Sequence, residues 1–125
     1  MRPDGQRTPF FKSFTYACKG IASAYRTGRN IRVQSLVAVA VAIAGFAFSL
    51  APWEWCAVLL CCGLVIGAEC MNSALEDIVD MAQPNINPLA GRAKDMAAGA
   101  VWVFALTSVV VRLIVFVPHL LALLR

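Results

Sequence analysis

The chain has 125 residues, 60% of them hydrophobic and only 14% charged. Soluble domains sit nearer half apolar and a quarter charged, so this composition belongs to a membrane protein and excludes an ordinary water-soluble enzyme. The net charge of +4 gathers at one end: seven of the eleven basic residues (Arg2, Arg7, Lys12, Lys19, Arg26, Arg29 and Arg32) fall in the first 32 positions, which points to anionic lipid and not to nucleic acid.

Residues 1–9, "MRPDGQRTP", are polar and basic. They are expected to form a flexible leader rather than a signal peptide, leaving the spans to direct insertion. Over 10–27, Phe10, Phe11, Phe14, Ala17, Cys18, Ile21, Ala22 and Tyr25 recur at helical spacing, while Lys12, Lys19 and Arg26 repeat every seven residues. That pattern predicts a basic amphipathic helix along the membrane surface. Lys12 and Lys19 are expected to hold it to lipid rather than to act in chemistry. "RTGRN" then reads as a break.

An uncharged first span is predicted over 33–51, near the ~20 residues a bilayer requires. "SLAPWEW" makes the turn after it, with Trp53 and Trp55 as interfacial anchors. The second span, 53–82, continues into "GAECMNSALEDIVD". "QPNINP" closes that helix, since Pro84 and Pro88 bracket it. The third helix, 89–124, is expected to be interrupted by Arg112 and Pro118, with Arg112 reaching outward to the interface. His119 reads as an interfacial polar residue and Trp102 as a packing or interfacial aromatic. Basic residues place the N-terminus and the "QPNINP" loop in the cytoplasm and the C-terminus outside. The cysteines (Cys18, Cys56, Cys61, Cys62 and Cys70) form no C-x-x-C pair beside the single His. They read as small buried hydrophobes, with no zinc site or disulfide expected.

The acids need a reason. Glu69, Asn72, Glu76 and Asp80 are spaced by three, four and four, which puts them on one helix face. A charge at the centre of a span costs about 2.5–3.5 kcal/mol, so an aligned set needs partners or a use. It is either a polar seam paired with Arg92 and Lys94 between subunits, or a site. Carboxylates low on the stripe suit Mg²⁺, which keeps water and phosphate oxygens as ligands. One at the edge of the apolar zone suits a general base toward a lipid hydroxyl. Lys94, across the loop, suits a nucleotide phosphate. Together they point to phosphoryl transfer onto a lipid alcohol, although spacing alone leaves a channel or proton path open. Gly91, Ala97, Ala98, Gly99 and Ala100 would admit close helix approach in an oligomer.

"ECMNSALEDIVD" followed by "PLAGRAKDMAAGAV" resembles the signature of the small bacterial membrane lipid kinases, the diacylglycerol kinase and undecaprenol kinase family. The pattern E-x-x-N-[ST]-A-x-E-x-x-x-D, then A-K-D-x-x-[AS]-[AG]-A-V, is met at Glu69, Asn72, Ser73, Ala74, Glu76 and Asp80. It continues at Ala93, Lys94, Asp95, Ala98, Gly99, Ala100 and Val101. The resemblance implies an all-α membrane protein, a homotrimer of three-span subunits with a surface helix and active sites between subunits. It implies ATP and Mg²⁺ acting on a lipid alcohol. Glu69 would be the general base, Asn72 its organiser and Glu76 a ligand of metal and nucleotide. Asp80, Lys94 and Asp95 would bind nucleotide, with Tyr16, Asn85, Ile86 and Asn87 at its periphery. Asn30, Arg32, Glu69 and Ala98 would contact the lipid. Undecaprenol is the expected substrate, with diacylglycerol second. One departure stands out: Gly28 occupies the place of a family Glu expected to supply a second metal carboxylate. That leaves two readings, a kinase with altered metal dependence or a non-catalytic membrane oligomer.

Overall fold

The structure, a computed structural model, describes residues 9–125, which form four helices and the short joints between them. The expected leader, apart from Pro9, lies outside the described residues.

Helix α1 runs Phe10–Thr27 and helix α2 runs Arg29–Ala47. α2 begins at Arg29 and not at position 33, because the joint is narrower than "RTGRN" suggests. Gly28 alone is extended, at φ −90° and ψ 119°. Any residue adopts that backbone, so the need for glycine is spatial: a Cβ at position 28 would lie 2.8 Å from the Ala24 carbonyl oxygen. Arg32 braces the joint, its Nε donating to Gly28 O at 3.1 Å and its Nη2 to Arg26 O at 3.2 Å. These acceptors are carbonyls at the end of α1, which its own ladder leaves without donors. Tyr25 and Ser35 hydrogen-bond through their hydroxyls from one helix to the other.

At the other end of α2 the chain turns through Phe48–Ala51. Ser49 takes a left-handed φ of 52°. Ser49 N–H bonds Phe46 O at 3.2 Å and Leu50 N–H bonds Gly45 O at 3.1 Å, the paired closure of a Schellman motif. Gly45 is required here, since a Cβ would meet the Trp55 ring at 2.7 Å. Helix α3, Pro52–Ala82, starts with proline at its first turn, where a missing N–H costs nothing. Its 31 residues make roughly 46 Å at ~1.5 Å per residue. That exceeds the ~30 Å hydrocarbon core, so α3 is longer than one upright crossing needs. Helix α4, Pro88–Leu123, is capped by Asn87, whose Oδ1 accepts from Leu89 N at 2.9 Å and Ala90 N at 3.3 Å. Pro118 does not interrupt α4, which stays helical through it; proline forfeits one ladder bond without ending the helix.

α3 is the central helix and packs against α1, α2 and α4, while the backbones of α2 and α4 do not come within 8 Å (Cα–Cα) of one another among the described residues. The core lies at the α2–α3 turn, where Leu50, Val58 and Val115 are buried against Val41, Phe48, Trp55, Cys62, Val111 and Phe116. Toward the acidic end α2 and α4 flank α3 without closing over it. α2, α3 and α4 are each long and apolar enough to cross a membrane. Their outer faces expose large apolar side chains, among them Leu36, Phe46, Leu60 and Leu113. A surface of that size is incompatible with water, and the protein is a multi-pass membrane protein.

Two polar side chains differ from expectation. Arg112 does not extend outward: it is half-buried against α3, with Nη2 3.7 Å from Cys62 Sγ. His119 is not a lone interfacial group, for its Nε2 lies 3.0 and 3.1 Å from the two carboxylate oxygens of Glu54. The five cysteines are free thiols, and Cys18 and Cys56 are exposed rather than buried.

Candidate active site

The acidic face of α3 carries Glu69, Asn72, Glu76 and Asp80, and two cavities open along it. The first, ≈ 430 Å³, is walled by Arg29, Asn30, Val33 and Gln34 of α2, Glu69 and Asn72 of α3, and Ala98, Val101, Trp102 and Ala105 of α4. It exists because α2 and α4 stand apart on either side of α3. Glu69 is 4% exposed. Its carboxylate has no hydrogen-bond or ion-pair partner among the described residues. A buried carboxylate left without donors is costly, and here it faces a cavity whose other walls are apolar on the α4 side and largely polar on the α2 side.

One turn along, Asn72 donates from Nδ2 to Glu76 Oε1 at 3.1 Å. Its Oδ1 is buried without a partner. The amide therefore ties Glu76 to the floor of the first cavity and leaves one hard oxygen acceptor free. Glu76 itself is exposed.

The second cavity, ≈ 270 Å³, lies at the end of α3 and is lined by Val79, Asp80, Gln83, the 84–87 loop, Ala90, Gly91 and Lys94. Lys94 Nζ is ion-paired to Asp80 Oδ1, across the joint between α3 and α4. Asn85 and Ile86 are exposed at its edge, and Asn87 both lines it and caps α4.

The structure thus sorts the expected residues into two groups. Glu69, Asn72, Asn30 and Ala98 meet in the first cavity. Asp80, Asn85, Ile86, Asn87 and Lys94 meet in the second, and Glu76 bridges toward the first through Asn72. Asp95 and Tyr16 are exposed and line neither. Arg32, expected at the lipid, lines neither cavity and braces the α1–α2 joint. Arg29, Gln34 and Trp102 were not singled out as site residues, yet they wall the first cavity. Their signal was helical spacing: Arg29 and Asn30 stand four residues before Val33 and Gln34, and Ala98, Val101, Trp102 and Ala105 share one face of α4.

No group of three His, Cys, Asp or Glu side chains converges on a metal position among the described residues. Gly28 does abut the acidic helix, since a Cβ there would lie 3.7 Å from Ser73 Oγ. The donors at hand, Glu76 and the free Asn72 Oδ1, are hard oxygens of the kind Mg²⁺ accepts when water and phosphate complete its shell.

Residues 15–116 match the model of the family described as prokaryotic diacylglycerol kinase. The chain is 43% identical over 111 residues to the undecaprenol kinase of Bacillus subtilis, covering 89% of this chain and 90% of that protein. It is 38% identical over 112 residues to the diacylglycerol kinase of Synechocystis sp., covering 89% of this chain and 64% of that longer protein. It is 30% identical over 90 residues to a diacylglycerol kinase of Helicobacter pylori, covering 72% of this chain and 70% of that protein. The chain therefore belongs to the prokaryotic diacylglycerol kinase family and is a lipid kinase.

Proposed function

We propose that the protein transfers the terminal phosphate of ATP, with Mg²⁺, to the hydroxyl of undecaprenol, giving undecaprenyl phosphate. The observation that carries the reaction is Glu69, a buried carboxylate without donors, facing a cavity with Val33, Val101, Trp102 and Ala105 in its walls. A lipid alcohol enters between α2 and α4, lays its chain on these apolar residues and presents its hydroxyl to Glu69. Glu69 takes the hydroxyl proton as the oxygen attacks the terminal phosphorus and the bond to the bridging oxygen breaks, with ADP as leaving group, the role of a positioned general base. Asn72 holds Glu76 in place beside it.

Positions 69 and 80 are separated by roughly 16 Å of helix at ~1.5 Å per residue. The nucleotide occupies the second cavity, against Asp80, Lys94 and the 84–87 loop, and its phosphates run along α3 toward Glu69. Glu76 and Asn72 Oδ1 would hold Mg²⁺, which neutralises phosphate charge when bound. With Gly28 supplying no carboxylate, water and nucleotide oxygens would have to supply the remaining ligands. The membrane orientation follows the charge: the basic α1 lies on the cytoplasmic surface beside the nucleotide cavity. The apolar faces that α2 and α4 leave exposed are covered by further copies, as a homotrimer.

Undecaprenol is favoured over diacylglycerol by the identity to the B. subtilis enzyme across nearly both full chains. The test is ADP release by the purified protein with ATP, Mg²⁺ and each lipid in turn, with Glu69→Gln as control. Turnover on undecaprenol that disappears in Glu69→Gln supports the proposal. Turnover on diacylglycerol alone reassigns the substrate, and turnover on neither removes the proposal.

A further inference from the structure

The charges around the two cavities are distributed unexpectedly. Sequence reasoning makes Lys94 the cation that meets the phosphates, but Lys94 is ion-paired to Asp80 in the second cavity. The first cavity contains Glu69, and a phosphoryl group carried to it meets a buried carboxylate of its own sign, a repulsion that low-dielectric walls strengthen. Phosphoryl transfer depends on offsetting that charge. Of the cations lining the two cavities, Arg29 and Lys94, only Arg29 is in the first, and it has no hydrogen-bond or ion-pair partner among the described residues. The neighbouring Arg32 is committed to the carbonyls of Arg26 and Gly28.

Position also favours Arg29. It is the first residue of α2, whose cap, Gly28, makes no side-chain hydrogen bond and whose first turn holds no acid. The positive end of the helix dipole therefore adds to the guanidinium instead of being neutralised. The guanidinium is a planar fork of donors matched to two phosphate oxygens.

The geometry points to Arg29 as a phosphate-binding residue of the catalytic site: its guanidinium holds the phosphate under transfer beside Glu69, first on ATP and then on the lipid product. It supplies positive charge next to position 28, where a carboxylate ligand is missing. This rests on the lipid-kinase reading of the first cavity.

The experiment compares wild type, Arg29→Gln and Arg29→Lys as full chains in lipid–detergent micelles, by steady-state kinetics and by thermal unfolding with ADP, with and without beryllium fluoride, a mimic of the terminal phosphate. Losing one charge-stabilising donor lowers turnover by ~10²-fold. Arg29→Gln is expected to lose turnover on that scale with KM for the lipid alcohol nearly unchanged, and Arg29→Lys to lose less. Beryllium fluoride is expected to raise the ADP-bound unfolding midpoint in wild type and to add little in Arg29→Gln. Wild-type turnover in Arg29→Gln, or an unchanged beryllium fluoride increment, overturns the assignment. If Arg29→Gln fails to fold, Arg29→Lys decides: wild-type kinetics and the full beryllium fluoride increment in that variant likewise overturn it, whereas a partial loss of both supports it. Wild type that turns over neither lipid removes the kinase reading itself. The beryllium fluoride increment still tests Arg29 in that case, and its absence from wild type overturns the assignment as well.

Discussion

Helix α3 carries two buried glutamates, one in its first turn and one just past its middle, and the two have opposite surroundings. Glu54, in the first turn, is 8% exposed, and its carboxylate accepts from Ala51 N at 2.8 Å and meets His119 Nε2 at 3.0 and 3.1 Å. Phe48 lies against the same histidine, with ring centroids 5.9 Å apart. Glu69 is 4% exposed, accepts no hydrogen bond among the described residues and faces a cavity. Glu54 closes the α2–α3 turn onto the end of α4 next to the apolar core. Glu69 stands where the helices part. Both acids are buried, but the fold supplies the partners of Glu54 and withholds those of Glu69, and in the proposed function it is this second kind of acid that waits for a substrate.

The largest effect that tests this contrast is at Glu69. Glu69→Gln keeps the shape and removes the base, and turnover is expected to fall by roughly 10²–10⁴-fold. ADP release measures it, and activity within tenfold of wild type would place the base elsewhere. Lys94→Gln comes next. Its ion pair with Asp80 is exposed, at 36% and 63%, and such pairs contribute ~0–1 kcal/mol to stability. The unfolding midpoint should hardly move while KM for ATP rises by about tenfold, the effect of losing one charge-assisted phosphate contact of ~1.4 kcal/mol. A higher KM for lipid instead would contradict the two-cavity division.

Gly28→Glu sharpens the metal question. The new carboxylate faces Ser73, one residue from Asn72, and should lower the Mg²⁺ concentration for half-maximal rate a few-fold. Its Cβ would press on the Ala24 carbonyl and Ile31 Cγ2, 2.8 and 3.1 Å away, so a lower unfolding midpoint should accompany the gain. An unchanged Mg²⁺ titration would show that position 28 is remote from the metal. Smallest in activity is Glu54→Gln: turnover is expected to stay within twofold while the midpoint falls by a few degrees, since the amide keeps one acceptor oxygen of the two that Ala51 N–H and His119 share and loses the charge. A kinetic defect without a stability defect would erase the distinction between the two glutamates.

Much of the molecule was readable from consecutive residues. Hydropathy and length marked three apolar helices, and proline and asparagine marked the α3–α4 joint. A three-four-four spacing aligned Glu69, Asn72, Glu76 and Asp80 on one face. These are short-range properties, decided by backbone geometry and the cost of burying polar groups in lipid. The residues missed or reassigned depend on neighbours distant in sequence. Arg32 reads as a substrate contact until the α1–α2 joint presents carbonyls to it, and Arg112 reads as outward-reaching until Cys62 of α3 stands opposite. Glu54 and His119 meet across 65 positions. Arg29, Gln34 and Trp102 become walls of one cavity only because α2 and α4 both pack on α3 with their own backbones apart. Periodicity assigns a side chain to a face of its own helix; packing alone settles which face, on which other helix, it meets.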